Sequence, residues 1–237
     1  MPPRFGYRPQ MHRNGGPQLG RASRASNPTK RLAPRWAPAV LAVALLVVAL
    51  LGVLNWHSGR LGRVDAWAMR EIPGHSHGYQ GFLVASAISD AVGPLVLGLA
   101  AAIALLAWLR PRRRDALLLA LLAPPVTLAA KGLLKEVVAS RTSGGAALMY
   151  PSGHLAMATA VALTLLLVLR TGDVGAGVRR GLTILAALFV LTVAWARLAE
   201  TAHSLSDVVG GVATGVAVPL STALALSAWW PERGARE

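Results

Sequence analysis

The chain has 237 residues and carries 24 Lys and Arg against 10 Asp and Glu, a formal net charge of +14. Charged residues are only 14% of the whole and apolar residues 54%, whereas a soluble domain carries about 25% charged residues. This balance excludes an ordinary soluble enzyme, the apolar content excludes a disordered basic protein, and the lack of cysteine removes disulfides, thiolate metal ligands and thiol nucleophiles.

Residues 1–35 are rich in Pro, Gly, Arg and Ser and show no apolar periodicity, the composition of a disordered tail. A bilayer core about 30 Å thick takes roughly 20 apolar residues of helix, and six such stretches follow. The first, 36–56, has Trp at both ends, as at an interfacial aromatic belt. It is long for a signal-peptide core, and no clear small-x-small site follows it. Next, Leu61, Val64, Ala68 and Ile72 recur at helical spacing, which predicts a short helix lying at the membrane interface. Residues 74–81 read as a loop, and 82–90 as either another short outer helix or an extension of the second span, 91–109. Asp90, in Ser-Asp-Ala-Val, reads as a helix N-cap. The third span, 116–134, contains Pro124-Pro125, which neighbouring helices make tolerable in a bilayer. The fourth covers 154–169, the fifth 181–198, and the sixth runs from His203 to Trp229-Trp230. The expected fold is an all-α, six-transmembrane-helix bundle over 36–230, with a basic tail at 1–35, a short tail at 231–237 and one interfacial helix.

The cations set an expected orientation. Arg4, Arg8, Arg13, Arg21, Arg24, Lys30, Arg31 and Arg35 precede the first span. Arg110, Arg112, Arg113 and Arg114 fill the second-to-third connection, Arg170, Arg179 and Arg180 the fourth-to-fifth, and Arg233 and Arg236 the C-terminus. These seventeen fall on one side and seven on the other, so the positive-inside rule predicts a multi-pass cell-membrane protein with both termini cytoplasmic. Orientation and attraction to anionic lipid account for the net charge without nucleic acid.

Four of the seven outer cations, Lys131, Lys135, Arg141 and Arg197, flank His154 and His203. Ionisable groups beside spans are costly and are usually paired or functional, and cations gathered at one end of a bundle suit a phosphate. Tyr150-Pro-Ser-Gly-His154 opens the fourth span. Pro151 suits a helix start, Ser152 can cap, Gly153 lets a backbone approach closely, and a helix N-terminus attracts anions; a plain capped entrance would look the same. His203 and Asp207, at i and i+4, are expected on one helix face. There a carboxylate can fix the tautomer of an imidazole, or form a purely structural pair. His75 and His77 read as loop residues or as candidate metal ligands, Glu136 and Glu200 as partners of the nearby cations, and Lys131 as a substitute for Lys135.

Arg197-x5-His203-x3-Asp207, preceded by Pro151-Ser-Gly-His154 and by the Lys135…Arg141 segment, resembles the three-part signature of the type 2 phosphatidic acid phosphatase superfamily. The family usually has Lys-x6-Arg-Pro; this chain has five residues between Lys135 and Arg141, then Thr142, and Ala196 stands where Ser commonly precedes the arginine. The resemblance implies a phosphatase of lipid phosphates or diphosphates, working at the outer membrane face without metal or other cofactor. It implies His203 as nucleophile, Asp207 as its orienting carboxylate and His154 as general acid and base. Lys135, Arg141, Ser152, Gly153 and Arg197 are then the phosphate-binding groups. A polyprenyl diphosphate is the favoured substrate, a phosphatidate-type lipid the next. The alternative is a lipid-phosphate-binding or transport protein that keeps the pocket without turnover. A channel or secondary transporter would need polar groups near the midplane, and here they cluster at one end.

Overall fold

The computed structural model describes residues 32–56, 62–75, 78–110, 113–139 and 149–229. The described residues form seven helices: α1 (Ala37–Leu54), α2 (Arg63–His75), α3 (Gly78–Trp108), α4 (Arg114–Val138), α5 (Gly153–Arg170), α6 (Ala176–Ala199) and α7 (Leu205–Trp229). All but α2 are long and apolar enough to cross a membrane. The chain is an all-helical, multi-pass membrane protein. The expected tails fall largely on residues 1–31 and 230–237, outside the described residues; within the described part, Leu32 is buried and the Ala33 N–H donates to Ser227 Oγ at 3.3 Å.

Two helices make the centre. More than half of the spanning residues of α5 and α7 are buried, against under a quarter in the other spans. They pack most extensively on each other; α1 and α4 lie against α7, α4 and α6 against α5, and α3 closes the side formed by α4, α5 and α6. Without a hydrophobic force between helices in lipid, close packing depends on small residues. Gly211 and Gly215 supply it: a Cβ on Gly211 would stand 2.6 Å from the Ser152 carbonyl oxygen, and one on Gly215 would strike the Ala156 carbonyl. The hydroxyls of Thr127, Thr214, Thr222 and Ser227 donate to carbonyls one turn back, which satisfies them within the bundle.

The structure decides between the two readings of 82–90 and changes three others: the loop bounds, the Asp90 cap and the inward face of α2. The loop expected at 74–81 is shorter, because α2 continues to His75 and α3 starts at Gly78. Residues 82–90 extend the second span rather than forming a helix of their own, so Asp90 is an exposed mid-helix residue and caps nothing. On α2 the inward face carries Asp65 and Ala68, whereas Val64 points outward and is exposed; a carboxylate replaces the expected valine because it has hydrogen-bond donors to meet below it.

Alternate crossing brings the C-termini of α1, α4 and α6 and the N-termini of α3, α5 and α7 to one end of the bundle, and α2 lies at that same end against α6 and α7. Ser89 of α3 is level with the end of α6, since its Oγ donates to Glu200 Oε2 at 2.8 Å. At 1.5 Å per residue, the eleven residues before it carry α3 about 16 Å beyond that level.

Candidate active site

The entrance to α7 is built by a tight turn. α6 ends at Ala199; Thr201 takes a left-handed backbone (φ 54°), and its N–H donates to the Leu198 carbonyl at 3.0 Å, the usual way of closing a helix C-terminus. His203 therefore precedes α7 instead of lying on its face, which corrects the helix-face reading of the i, i+4 pair. Asp207 reaches it by folding back. Ser204 N–H donates to Asp207 Oδ2 at 3.0 Å while Asp207 N–H donates to Ser204 Oγ at 3.2 Å, a reciprocal capping pair that occupies two of the orphan donors at the helix start. That leaves His203 Nδ1 3.7 Å from Asp207 Oδ2, in ion-pair range and slightly beyond a hydrogen bond. Both side chains are almost fully enclosed, with 9% and 3% exposure.

The entrance to α5 is different. Ser152 holds the N-cap position with extended backbone, but its hydroxyl caps nothing, contrary to the sequence expectation. Pro151 lies two residues before the first helical residue, after a cis Tyr150–Pro151 bond. The Ser152 N–H donates to the Asp207 carbonyl at 2.9 Å, so the two helix entrances are joined directly. Gly153 leaves room for a lysine: a Cβ there would lie 2.9 Å from Lys131 Nζ. Lys135 Nζ donates to the Met149 carbonyl at 3.4 Å.

From the third side, Arg197 Nη1 bonds Glu200 Oε2 at 2.7 Å, and Glu200 is itself held by Ser89. The charges act on one another: His154 lies within the electrostatic reach of Arg197, His203, Lys131 and Lys135, and His203 within that of Asp207, Arg197 and Lys135. Burial pushes the His203 pKa down, with Asp207 pulling the other way. Tyr150 is pushed up to about 12 by burial and then by the Asp207 charge, so it stays a phenol, and its OH donates to the Val48 carbonyl of α1 at 2.9 Å.

Ser152 Oγ, Arg197 Nε, His203 Nδ1 and Asp207 Oδ1 are buried without hydrogen-bond partners among the described residues. A buried polar atom left unpaired costs about 1–3 kcal/mol, so four at one junction make it the candidate place for a polar ligand. The PAP2 superfamily model matches residues 91–231, more than half of the chain and all of this junction.

The chain belongs to the PAP2 superfamily. With its six apolar spans, it is a membrane phosphatase in the broad sense. No curated protein and no solved structure matches it.

The PAP2 reading of the sequence names eight site residues, and the structure brings His203, Asp207, Ser152, Gly153, His154, Arg197 and Lys135 to one end of the bundle. Arg141, with Thr142, lies outside the described residues, as does His77; of His75 only the backbone is described, in the last turn of α2. Glu200 pairs with a site cation, as expected, whereas Glu136 is exposed. Lys131, read from the sequence only as a substitute for Lys135, contributes beside it, and Tyr150, the Gly211–Gly215 seam and Asp65 were given no role there. Lys131 reaches Gly153 itself; its position one turn before Lys135 was the signal. Tyr150 packs its ring on Gly210, and the Gly211-x3-Gly215 spacing is a readable small-residue seam. Asp65 is announced only by a charge on the inward face of an amphipathic helix.

Proposed function

We propose that the protein is a metal-independent lipid phosphatase acting through a phosphohistidine intermediate at the extracytoplasmic face of the cell membrane. The observation that carries this reading is the enclosed His203–Asp207 pair, 3.7 Å apart, beside the buried and unpartnered Ser152 Oγ and Arg197 Nε. A phosphate-binding protein without turnover would keep Arg197 and the helix entrance, but it has no use for an imidazole backed by a buried carboxylate.

With Nδ1 turned to Asp207, His203 presents Nε2 to the substrate. Nε2 attacks phosphorus, the bond from phosphorus to the leaving oxygen breaks, and His154 gives that oxygen a proton. His154 then takes a proton from water, whose oxygen displaces His203 and releases inorganic phosphate. Asp207 offsets the positive charge that develops on the imidazole. Arg197, Lys135, Arg141, Ser152 Oγ and the N–H of Gly153 hold the equatorial oxygens, and Lys131 adds charge beside Gly153. Phosphoryl transfer depends mainly on such positioning and charge.

A site at a helix-end boundary suits a lipid headgroup, with its tail between helices. A polyprenyl diphosphate is favoured over a phosphatidate-type lipid, by analogy with compact, outward-facing family members. The basic residues flanking the other end of the bundle support cytoplasmic termini.

The test is phosphate release by the detergent-purified full chain, with EDTA present, from a polyprenyl diphosphate and from phosphatidate. Release from the diphosphate, abolished in His203→Ala and in His154→Ala, is expected; turnover retained by His203→Ala contradicts the nucleophile assignment. The chain lacks cysteine, so an Arg113→Cys variant reads orientation: an impermeant thiol reagent leaves it unlabelled in intact cells, and labelling reverses the topology.

A further inference from the structure

The segment matched by the family begins at residue 91, so α2 lies outside it. Yet α2 reaches the catalytic end through one side chain. Asp65 is buried, with 9% exposure, on the inward face of a helix whose outward face carries exposed Val64 and Trp67 with Arg63 and Arg70. Its Oδ1 accepts the Ser206 N–H at 2.8 Å and its Oδ2 accepts the Ser206 hydroxyl, also at 2.8 Å.

The second bond sets the direction of a chain of hydrogen bonds. A carboxylate only accepts, so the Ser206 proton goes to Asp65. Ser206 Oγ is then left to accept from Asn55 Nδ2 at 3.3 Å and from the Ser204 hydroxyl at 3.0 Å. With its proton committed, Ser204 Oγ turns a lone pair to the Asp207 N–H, and Ser204 N–H holds Asp207 Oδ2. The same oxygen faces His203 Nδ1. Asp65 also places a second carboxylate at the start of α7, beside Asp207. That N-terminus is closed to anions, which leaves the uncapped entrance of α5 for the phosphate.

We propose that Asp65 is a positioning residue: through Ser206 and Ser204 it holds Asp207 against His203, coupling the interfacial helix α2 to the nucleophile. This rests on the phosphatase reading above, and the experiment separates the two.

Asp65→Ala, Ser206→Ala and the double variant are made in the full chain and purified in detergent. Steady-state phosphate release from the polyprenyl diphosphate is measured, and His203 is titrated in ¹⁵N-histidine-labelled protein, its signal assigned by its loss in His203→Gln. His203 is faced by Asp207 on α7, Arg197 on α6, Lys135 on α4 and His154 on α5, and of these only Asp207 favours the imidazolium. Loosening Asp207 therefore moves the His203 midpoint down, an effect that lost stability alone does not produce. In Asp65→Ala kcat falls about 10- to 100-fold, the cost of an ångström-scale misplacement, with KM changed less than about twofold. Ser206→Ala shifts both readouts the same way, and the double variant adds little to Asp65→Ala. Should Asp65→Ala fail to fold, Ser206→Ala gives the same two readouts. Unchanged kcat and an unchanged His203 midpoint in a folded variant overturn the proposal. A wild type that releases no phosphate, yet whose His203 midpoint drops on Asp65→Ala, sinks the phosphatase reading and leaves the positioning role standing.

Discussion

The backbone N–H of Ser152 donates to the carbonyl oxygen of Asp207 at 2.9 Å, so the helix that presents His154 and the helix behind His203 are fastened to each other at their first turns. That bond exists because Gly211, one turn further along α7, has no side chain. A Cβ there would meet the Ser152 carbonyl oxygen at 2.6 Å and Leu155 Cβ at 2.9 Å, and neither a backbone carbonyl nor a Cβ fixed to its own backbone can give way cheaply.

Gly211→Ala is accordingly expected to cost about 1–3 kcal/mol through overpacking and to lower kcat by separating the two entrances. Gly98 of α3 has open space around it, and Gly98→Ala should be neutral or stabilising by up to about 1 kcal/mol. Thermal unfolding and phosphate release on both variants check this; equal effects at the two positions would remove the seam from the account.

The buried His203 makes stability depend on pH in a defined direction. Burial, outweighing Asp207, holds its pKa in the folded chain below the ordinary value near 6.5. Between those two pKa values the unfolded chain binds more protons, so stability rises with pH through that window, is complete above about 6.5 and declines as the pH falls. Unfolding midpoints recorded from pH 7.5 downward should fall on acidification, and less steeply in His203→Gln. A slope unaffected by the substitution would mean that His203 is not held neutral by burial. The rate should follow: in the proposed mechanism His203 attacks as the neutral imidazole, so the acid limb of kcat/KM is expected under the ordinary imidazole value.

Arg197 approaches the junction with one nitrogen held and another unmatched: Nη1 is tied to Glu200, and Nε is buried without a partner. Arg197→Ala is expected to lower kcat/KM by roughly 10²–10³-fold, the typical loss of one transition-state donor. Arg197→Lys should recover little of it, because an ammonium does not reproduce the planar fork. Glu200→Gln, which keeps shape and loses charge, should fall between Arg197→Ala and the wild type. Full activity in Arg197→Lys would argue for a role in bulk charge only.

Sequence alone reveals the six spans because a run of roughly 18 or more apolar residues suits little besides a helix that crosses a bilayer. The grouping of the site at one end also follows from sequence, since alternate crossing sends the ends of spans three and five and the starts of spans four and six the same way. Geometry within the site is less legible. The i, i+4 spacing of His203 and Asp207 suggests a shared helix face, yet the pair meets through a capping arrangement at Ser204, because Thr201 ends the preceding helix and His203 falls in the turn. Ser152 has the chemistry of a cap and does not cap. Asp65 is 142 residues from Asp207 in sequence, and no local pattern ties a carboxylate on an interfacial helix to a serine on the last span. Helix boundaries near Gly74 and Gly81 and the cap at Asp90 are misread because Gly and Asp punctuate soluble chains more strictly than they do a long membrane helix.

Thr201 carries a left-handed backbone at φ 54°, an unfavourable place for a β-branched residue. Thr201→Gly should raise stability by up to about 1 kcal/mol, relief of strain exceeding the added chain entropy, as read from the unfolding midpoint. A lower midpoint would show that the Thr201 side chain contributes contacts that outweigh its strain.

The most direct test of the central claim is to look for the phosphoryl group on the nucleophile. The full chain is mixed with a radiolabelled lipid diphosphate, quenched within a turnover in alkali, where phosphohistidine survives, and mapped by peptide mass spectrometry. Phosphate is expected on His203 in the wild type, none in His203→Gln, and accumulation in His154→Ala with a substrate whose leaving group needs no proton. Turnover without phosphate on His203, or label on another residue, would contradict that claim.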